Sequence, residues 1–520
     1  MIKELQLSVS PDIAYDDDNL RQYISKTLHI TPKDITGVSV IRRSIDARQR
    51  QIKVNLVVKV YINEQPEKHP LATPIDYPAL PTDAPQCIIV GAGPGGLFAA
   101  LRLIELGVKP IVLERGKDVD SRRKDLAEIA RSGKVDSDSN YCFGEGGAGT
   151  YSDGKLFTRS KKRGPVDKIL TILYQHGAQH NILIETHPHI GTDRLPEVIK
   201  AIRNTILSKG GEIHFNTRVT DIIVDNFEAK GVITTDGTEY LGPVILATGH
   251  SARDIYNLLV TKNIKLDAKG IAVGVRLEHP QQLIDQIRYH RPEGRGKYLP
   301  AAEYSMLTRV DNRAVYSFCM CPGGVVVPAA SAPEEMVVNG MSSSARGSRW
   351  ANSAMVVEIL PEDIPGDSPL RMMEFQKEIE KRFYEDSSTL TQNAPAQRMT
   401  DFVKSKLSKD LPATSYAPGI HSARIDELLP QFISTRLQKG FQEFDYKNHG
   451  FLSNDAILIG NETRTSSPVR IPRDKDSLNH LEIKNLFPCG EGAGYAGGIV
   501  SAAIDGDRCA TAAAQQLLSH

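Results

Sequence analysis

The chain has 520 residues, 40% of them hydrophobic and 24% charged, with 63 Lys+Arg against 63 Asp+Glu and a formal net charge of zero. That composition is ordinary for a globular protein and excludes a disordered chain, a fibrous repeat or a small disulfide-stapled domain. A balanced charge also lacks the basic excess that nucleic-acid binders carry, and the length suggests about three domains.

In chain order, residues 2–8, 35–45 and 52–62 alternate apolar and polar side chains as strands do. Between the first two, Leu20, Ile24 and Leu28 keep helical spacing over 17–29, behind an Asp cluster that suits a helix start. The spacing predicts a small β-α-β-β domain over 1–70. Arg42, Arg43, Arg48 and Arg50 cluster near its hairpin, yet residues 1–80 hold eleven Lys/Arg against ten Asp/Glu, too even for a phosphate-binding footprint. Pro66, Pro70, Pro74, Pro78, Pro81 and Pro85 then predict a stiff, extended linker, placed at 71–81.

Residues 86–91 and 109–114 read as buried strands around a helix at 94–106, with Leu97, Leu101 and Leu103 on its apolar side. Strand, helix and strand with short joins make a parallel β-α-β unit. A helix follows at 195–209, then strands at 212–216, 218–225, 229–235 and 243–247, while the last 25 residues form a helix rich in small side chains.

Gly91-Ala92-Gly93-Pro94-Gly95-Gly96 matches G-x-G-x-x-G, as do the strings starting at Gly144 and Gly492. Only the first leaves a strand, opens a helix and is followed by a second strand ending in an acid, Glu114. Gly91 permits the tight turn, Gly93 lets the backbone approach a pyrophosphate, and Gly96 lets helix and sheet pack closely. Pro94 and Gly95 open a helix whose free N–H groups and dipole attract phosphate. Glu114 is expected to accept both ribose hydroxyl protons and to repel a 2′-phosphate, favouring FAD or NAD over NADP.

Several further segments carry a resemblance. Glu114-Arg115-Gly116 resembles the E-R-G of glutathione-reductase-type flavoproteins, Ala247-Thr248-Gly249 their A-T-G segment, and Gly490-Glu491 their late G-D, with Glu for Asp. Phe143–Leu156 (FGEGGAGTYSDGKL), Ala247–Asp254, Phe318–Gly324, Asn461–Arg473 and Gly490–Gly498 are together similar to the bacterial family of uncharacterised FAD-dependent dehydrogenases. The resemblance covers nearly the whole chain. It implies bound FAD and a Rossmann-like, glutathione-reductase-type α/β domain at 82–265 and 456–520. It also implies an inserted mixed α+β substrate or cap domain at 266–455. Glu491 would meet the ribityl chain, and a helix starting at Gly498-Ile499 would point its dipole at the flavin. Gly146, Gly147 and Gly149 would approach the cofactor closely, with Thr150, Ser152, Asp153 and Lys155 supplying polar groups near the ring. Val219 joins Arg115, Ala247, Thr248 and Gly249 among the expected cofactor contacts.

Other candidates are weaker. Arg464 or Arg470 offers a two-point contact for a substrate carboxylate, against a structural pairing with Glu462. Lys155, His250 and His421 are the remaining catalytic candidates. Cys319 and Cys321, two apart on a strand, are expected on one face; buried thiols are preferred to a redox pair. The basic run Arg159, Lys161, Lys162 and Arg163 reads as a solvated loop. No residue cluster argues for a metal. Six cysteines without a C-x-x-C pair, no signal peptide and no apolar run of membrane-spanning length predict a soluble cytoplasmic protein.

The expected activity is hydride transfer between FAD and a small molecule, with any NAD(P)H binding transiently because only one fingerprint has dinucleotide context. The alternatives are an NAD-dependent dehydrogenase, an FAD-dependent tRNA-acting protein, and a non-catalytic FAD-binding protein whose N-terminal domain docks a partner.

Overall fold

The computed structural model describes residues 1–67, 72–158, 164–387 and 391–519. Pro70 and the basic run Arg159, Lys161, Lys162 and Arg163 lie outside them.

The alternating segments at the N-terminus pair as an antiparallel sheet in the order Ile2–Val9, Lys53–Ile62, Ile35–Asp46. The Asp17–Leu28 helix covers one face, burying Leu20 and Ile24 against Val54, Leu56, Val58 and Val60. Its start is capped as the Asp cluster suggests: the Asp16 carboxylate accepts the Asn19 N–H at 3.0 Å.

The apolar runs that follow the prolines build a five-stranded sheet. Its order is Leu486–Pro488, Val244–Leu246, Gln86–Val90, Lys109–Leu113, Glu212–His214, every pair parallel. Both faces are covered, which is why the strands read as continuous apolar runs. Helices Pro94–Glu105, Val166–Gln175, Leu195–Ser208 and Ile499–Leu518 pack on one face. On the other lie the Arg253–Thr261 helix and a three-stranded antiparallel sheet of Val219–Asp225, Glu228–Thr234 and Glu239–Leu241.

The third body is a seven-stranded mixed sheet. Its order is Leu307–Val310, Arg313–Cys321, Trp350–Ile359, Ile271–Pro280, Ile457–Glu462, Ala394–Arg398, Ile420–Ser422. Ile271, Val273, Val275 and Leu277 project from one face into a core closed by helices Gln281–Tyr289, Arg371–Glu385 and Gln431–Lys447. The boundary expected at 456 is corrected here. Ile457–Glu462 is an interior strand of this sheet, between Ile271–Pro280 and Ala394–Arg398. The chain leaves the sheet only afterwards, where Val469-Arg470 pairs with Asp267-Ala268.

The proline-rich segment is extended but does not stand free. Tyr77 is buried in the core of the parallel-sheet body, Ile75 exchanges two hydrogen bonds with the Gln175 side chain, and the Leu80 N–H donates to the Lys209 carbonyl. The N-terminal sheet is docked as well. Ile52 enters the core of the seven-stranded body, and Arg43 pairs with Glu185 at 2.8 Å. Among the described residues no helix is long and apolar enough to cross a membrane.

Candidate functional site

The Gly91–Gly96 turn shows why its spacing needs glycine. Gly91 has φ +104°, and a Cβ there would lie 2.5 Å from the Ala247 carbonyl oxygen. A Cβ on Gly96 would lie 1.9 Å from the Gly91 carbonyl oxygen. Strand exit and helix start therefore touch backbone to backbone. Gly93 caps the helix, Pro94 is its first residue, and Gly95 packs near Cys489.

Glu114 is buried, and its carboxylate is already engaged. Oε2 accepts the Ala92 N–H at 2.8 Å; Oε1 accepts those of Gly116 and Gly144, each at 2.9 Å. A carboxylate offers about four acceptor positions, so roughly one is left. This corrects the expectation that both ribose hydroxyls are met by Glu114: the carboxylate first ties the fingerprint turn to the Asn140–Leu156 loop. Arg115 lies over the Phe143 ring and pairs with Asp138 and Asp254. A cavity of about 200 Å³ opens beside it, lined by Arg115, Arg218, Val219, Thr220, Asp254, Ile255 and Leu258. It brings together Arg115 and Val219, two expected cofactor contacts far apart in the chain. A larger surface hollow of about 430 Å³, lined in part by Arg382, Asp426 and Gln438, contains none of the sequence-predicted residues.

The glycine-rich loop is held by a residue the sequence reading passed over. Arg122 is fully buried and donates to the backbone carbonyls of Asn140, Tyr141, Gly144, Glu145 and Gly147. Burial pushes its pKa down. In the sequence it looks like one more charge on a polar helix, so no local signal marked it. So held, the loop crosses the fingerprint. The Gly146 N–H donates to the Ala92 carbonyl at 2.8 Å, and Gly147 abuts Gly93. A Cβ on Gly149 would lie 3.0 Å from Ile499 Cγ1 and 3.7 Å from Pro94 Cγ. Gly149 thus stands between the first residues of two helices, Pro94–Glu105 and Ile499–Leu518. These helices pack closely, since a Cβ on Gly506 would lie 2.0 Å from the Gly95 carbonyl oxygen. Two helix N-termini with positive dipole ends therefore open toward one place, and at the second the Gly498 N–H meets Glu491 and the Gly497 N–H meets Ser501 Oγ.

The rest of the loop departs from expectation. Thr150 Oγ1 donates to the Glu145 carbonyl and Ser152 Oγ to the Gly149 carbonyl, so both hydroxyls brace the loop itself. Asp153 and Lys155 reach across to the seven-stranded body. Asp153 accepts from Arg346 at 2.7 and 3.2 Å and from Ser342, and Lys155 donates to the Met320 carbonyl.

A further wall is formed by the Ala247–Gly249 and Gly490–Gly498 segments. A Cβ built on Gly249, Gly497 or Gly498 meets nothing within 4 Å, so this wall faces open space. Thr248 Oγ1 is buried there without a hydrogen-bond partner. Gly490 donates its N–H to Asp505 at 2.8 Å. Glu491 is pushed up by burial, against a bond from the Gly498 backbone and the charge of Lys269. His250 Nε2 lies 3.8 Å from Glu491. Burial, with the charges of Arg464, Arg253 and Lys269, lowers His250 to about 4, so the ring is neutral at neutral pH.

Two catalytic candidates fall elsewhere. The Arg464 side chain is 7% exposed, with its guanidinium spent on Glu335, Glu380 and Ser331, beside Arg253. This corrects its reading as a substrate contact: its partners are Glu335 and Glu380, not Glu462, which pairs with the buried Arg276. Arg470 is exposed over the Tyr495 ring. His421 sits on the edge strand Ile420–Ser422, bonded to Asn393 and Asp386. Cys319 and Cys321 do not share a face. The strand bulges between Phe318 and Cys321, and Cys319, at φ +43°, is exposed while Cys321 is buried.

Two neighbouring helix starts beside a glycine wall, an orphaned Thr248 hydroxyl and a separate cavity at Arg115 and Val219 fit a long dinucleotide with an anionic centre. Comparison with known proteins agrees on the class. Residues 270–465 match the family described as "FAD-dependent protein, C-terminal domain-like", and residues 1–61 match a domain of unknown function. The protein is FAD-dependent, with FAD as its cofactor on a Rossmann-like fold with extra domains. An uncharacterised protein of Clostridium beijerinckii is 41% identical, the match covering 96% of each chain. The chain belongs to one family with it. Among solved structures, a geranylgeranyl bacteriochlorophyll reductase-like protein of Thermoplasma acidophilum has 13% identity and a TM-score of 0.34, covering 84% of this chain and 80% of that one. CtdE in complex with FAD has 12% identity and a TM-score of 0.32, covering 82% and 84%. Likeness at that level carries no argument about activity.

Proposed function

We propose that this protein is an oxidoreductase that moves a hydride between FAD and a small molecule, on a glutathione-reductase-type scaffold. The observation that carries this reading is the meeting of two helix N-termini at Gly149. One such terminus suits a pyrophosphate. A second, at Gly498-Ile499, suits an anionic ring, and an electron-carrying flavin is the cofactor that needs both.

The chain's residues take these roles in the proposal. Gly91, Gly93, Pro94, Gly95 and Gly96 with Gly146, Gly147 and Gly149 enclose the phosphates. Glu114 fixes the turn and keeps one acceptor position for a ribose hydroxyl. Arg115 and Val219 line the adenine cavity. Ala247, Thr248 and Gly249 with Gly490, Glu491 and Gly498 form the wall along the ribityl chain, where the Thr248 hydroxyl finds its missing partner. Thr150 and Ser152 act by holding the loop. Neutral His250 beside Glu491 adds no further positive charge to that wall. When bound, the isoalloxazine ring supplies the hydride chemistry. We divide the chain into a small N-terminal domain, an FAD domain interrupted in sequence, and a substrate domain of about 270–465, one strand longer than the boundary drawn from sequence.

An anaerobic screen tests the reading. The FAD-loaded protein is mixed with candidate metabolites and with NADH or NADPH, and flavin bleaching is followed. Bleaching by a small molecule supports it. A flavin that resists every donor, and after photoreduction resists every acceptor, marks a binding protein instead.

A further inference from the structure

The segment from Ile184 to Thr192 is held by all three bodies of the molecule. On the N-terminal side Arg43 donates its N–H to the Ile184 carbonyl and accepts the Thr186 N–H, each at 3.0 Å. On the loop side the Leu156 N–H donates to the Pro188 carbonyl, and Lys155 bridges His189 in antiparallel register. On the substrate-domain side the Thr192 N–H donates to the Ser342 carbonyl. Pro188 and Ile190 are buried, His187 is exposed, and His189 is half-buried with its Nε2 at 3.2 Å from the Ser344 carbonyl. The H-x-H spacing in an extended segment was the available sequence signal.

His187 is the more exposed member of this pair. Its Nδ1–H donates to Glu303, its ring lies 4.8 Å from that of Phe157, and among the described residues its Nε2 has no hydrogen-bond partner. Its side chain is 56% exposed. The charged groups facing it are Glu303, Lys155 and Arg346. Arg346 is in turn fixed by Asp153. The bond to Glu303 raises the imidazole pKa against burial and the two cations. Glu303 is opposed by burial, but the His187 bond and the charges of Lys155 and Arg346 hold it at about 2.

Lys155 lies six residues past Gly149, at most about 20 Å along an extended chain. The loop that starts at the helix N-termini thus leads within that reach to Lys155, whose charge faces His187 and Glu303. We propose that His187 is the proton-transfer residue of the flavin reaction, with Glu303 as its positioning residue, and that the substrate bears a polarised C=O, C=N or conjugated C=C group. The proposal rests on the oxidoreductase reading above. In the reducing direction the His187 Nε2–H bond breaks and a bond from that proton to the substrate heteroatom or α-carbon forms. The electron pair arrives as a hydride from reduced FAD, which is left oxidised; oxidation is the reverse.

The test uses photoreduced holoprotein reoxidised anaerobically by 1,4-benzoquinone, which takes up protons, or by ferricyanide, which does not. His187→Gln is expected to lower the quinone-to-ferricyanide rate ratio about a hundredfold, the usual scale of a general acid. Glu303→Gln is expected to move the alkaline limb of the quinone rate to lower pH. An unchanged ratio in a flavin-retaining His187→Gln protein overturns the proposal, as does an equal loss toward both acceptors. If His187→Gln loses its flavin, NMR titration of the wild-type holoprotein decides: a His187 imidazole at or below its ordinary pKa overturns the proposal, and one above it that falls in Glu303→Gln supports it. A wild-type flavin inert to both acceptors overturns the oxidoreductase reading itself, and this one with it.

Discussion

Arg464 illustrates what a single residue looks like before and after its neighbours are known. In sequence it stands in a dense polar run and suggests a carboxylate clamp. In the fold Arg253 and Arg464 face Glu335 and Glu380, two charges against two, with little exposure to solvent. Burial would raise Glu380, but the two guanidinium groups outweigh it and hold its carboxyl well below the usual carboxylate range. Glu380→Gln is therefore expected to cost about 3–5 kcal/mol in chemical denaturation, because it leaves a buried cation short of a partner. His250 gives a second prediction. Its folded pKa of about 4 lies below its ordinary 6.5, so the unfolded chain takes up the proton first as pH falls. Its contribution is fully present above 6.5 and is lost between 6.5 and about 4. The urea midpoint of FAD-free protein should fall across that window, and His250→Gln should flatten the slope.

The elements most legible in the sequence were those whose pattern is local. The Gln86–Val90 strand, the Pro94–Glu105 helix and the Lys109–Leu113 strand follow from one apolar run, one glycine turn and a second run. The close approach of the Pro94–Glu105 and Ile499–Leu518 helices was not legible, because Gly95 and Gly506 lie at opposite ends of the chain. Gly506→Ala places a methyl 2.0 Å from the Gly95 carbonyl oxygen and must spread the pair. We expect a loss of about 1–3 kcal/mol from overpacking, together with weaker flavin retention on gel filtration. The Cys319-x-Cys321 pair failed for a related reason. Period-two alternation holds only in an unbroken strand, and the bulge that breaks it depends on pairing with Trp350–Ile359.

For the whole molecule, the prolines marked a boundary without revealing contact across it. Tyr77 is buried against the parallel-sheet body, and Ile52 against the seven-stranded one. Limited proteolysis of the native protein should therefore spare residues 72–85, and Arg43→Ala should lower the unfolding temperature of the full chain. A freely tethered N-terminal domain would show rapid cutting there and no effect of Arg43 on the other bodies.

The sequence by itself determined the class of cofactor. Strand, glycine turn, helix and acid are contiguous, and their chemistry is set by backbone geometry over some twenty-five residues. The tertiary structure decided which distant residues surround the fingerprint. Arg122, His187, Glu303 and the meeting of two helix starts at Gly149 depend on residues brought together from distant segments. No local periodicity encodes which buried cation will hold a loop, or which imidazole will find a carboxylate. Those choices are fixed only when desolvation forces each polar group to find a partner.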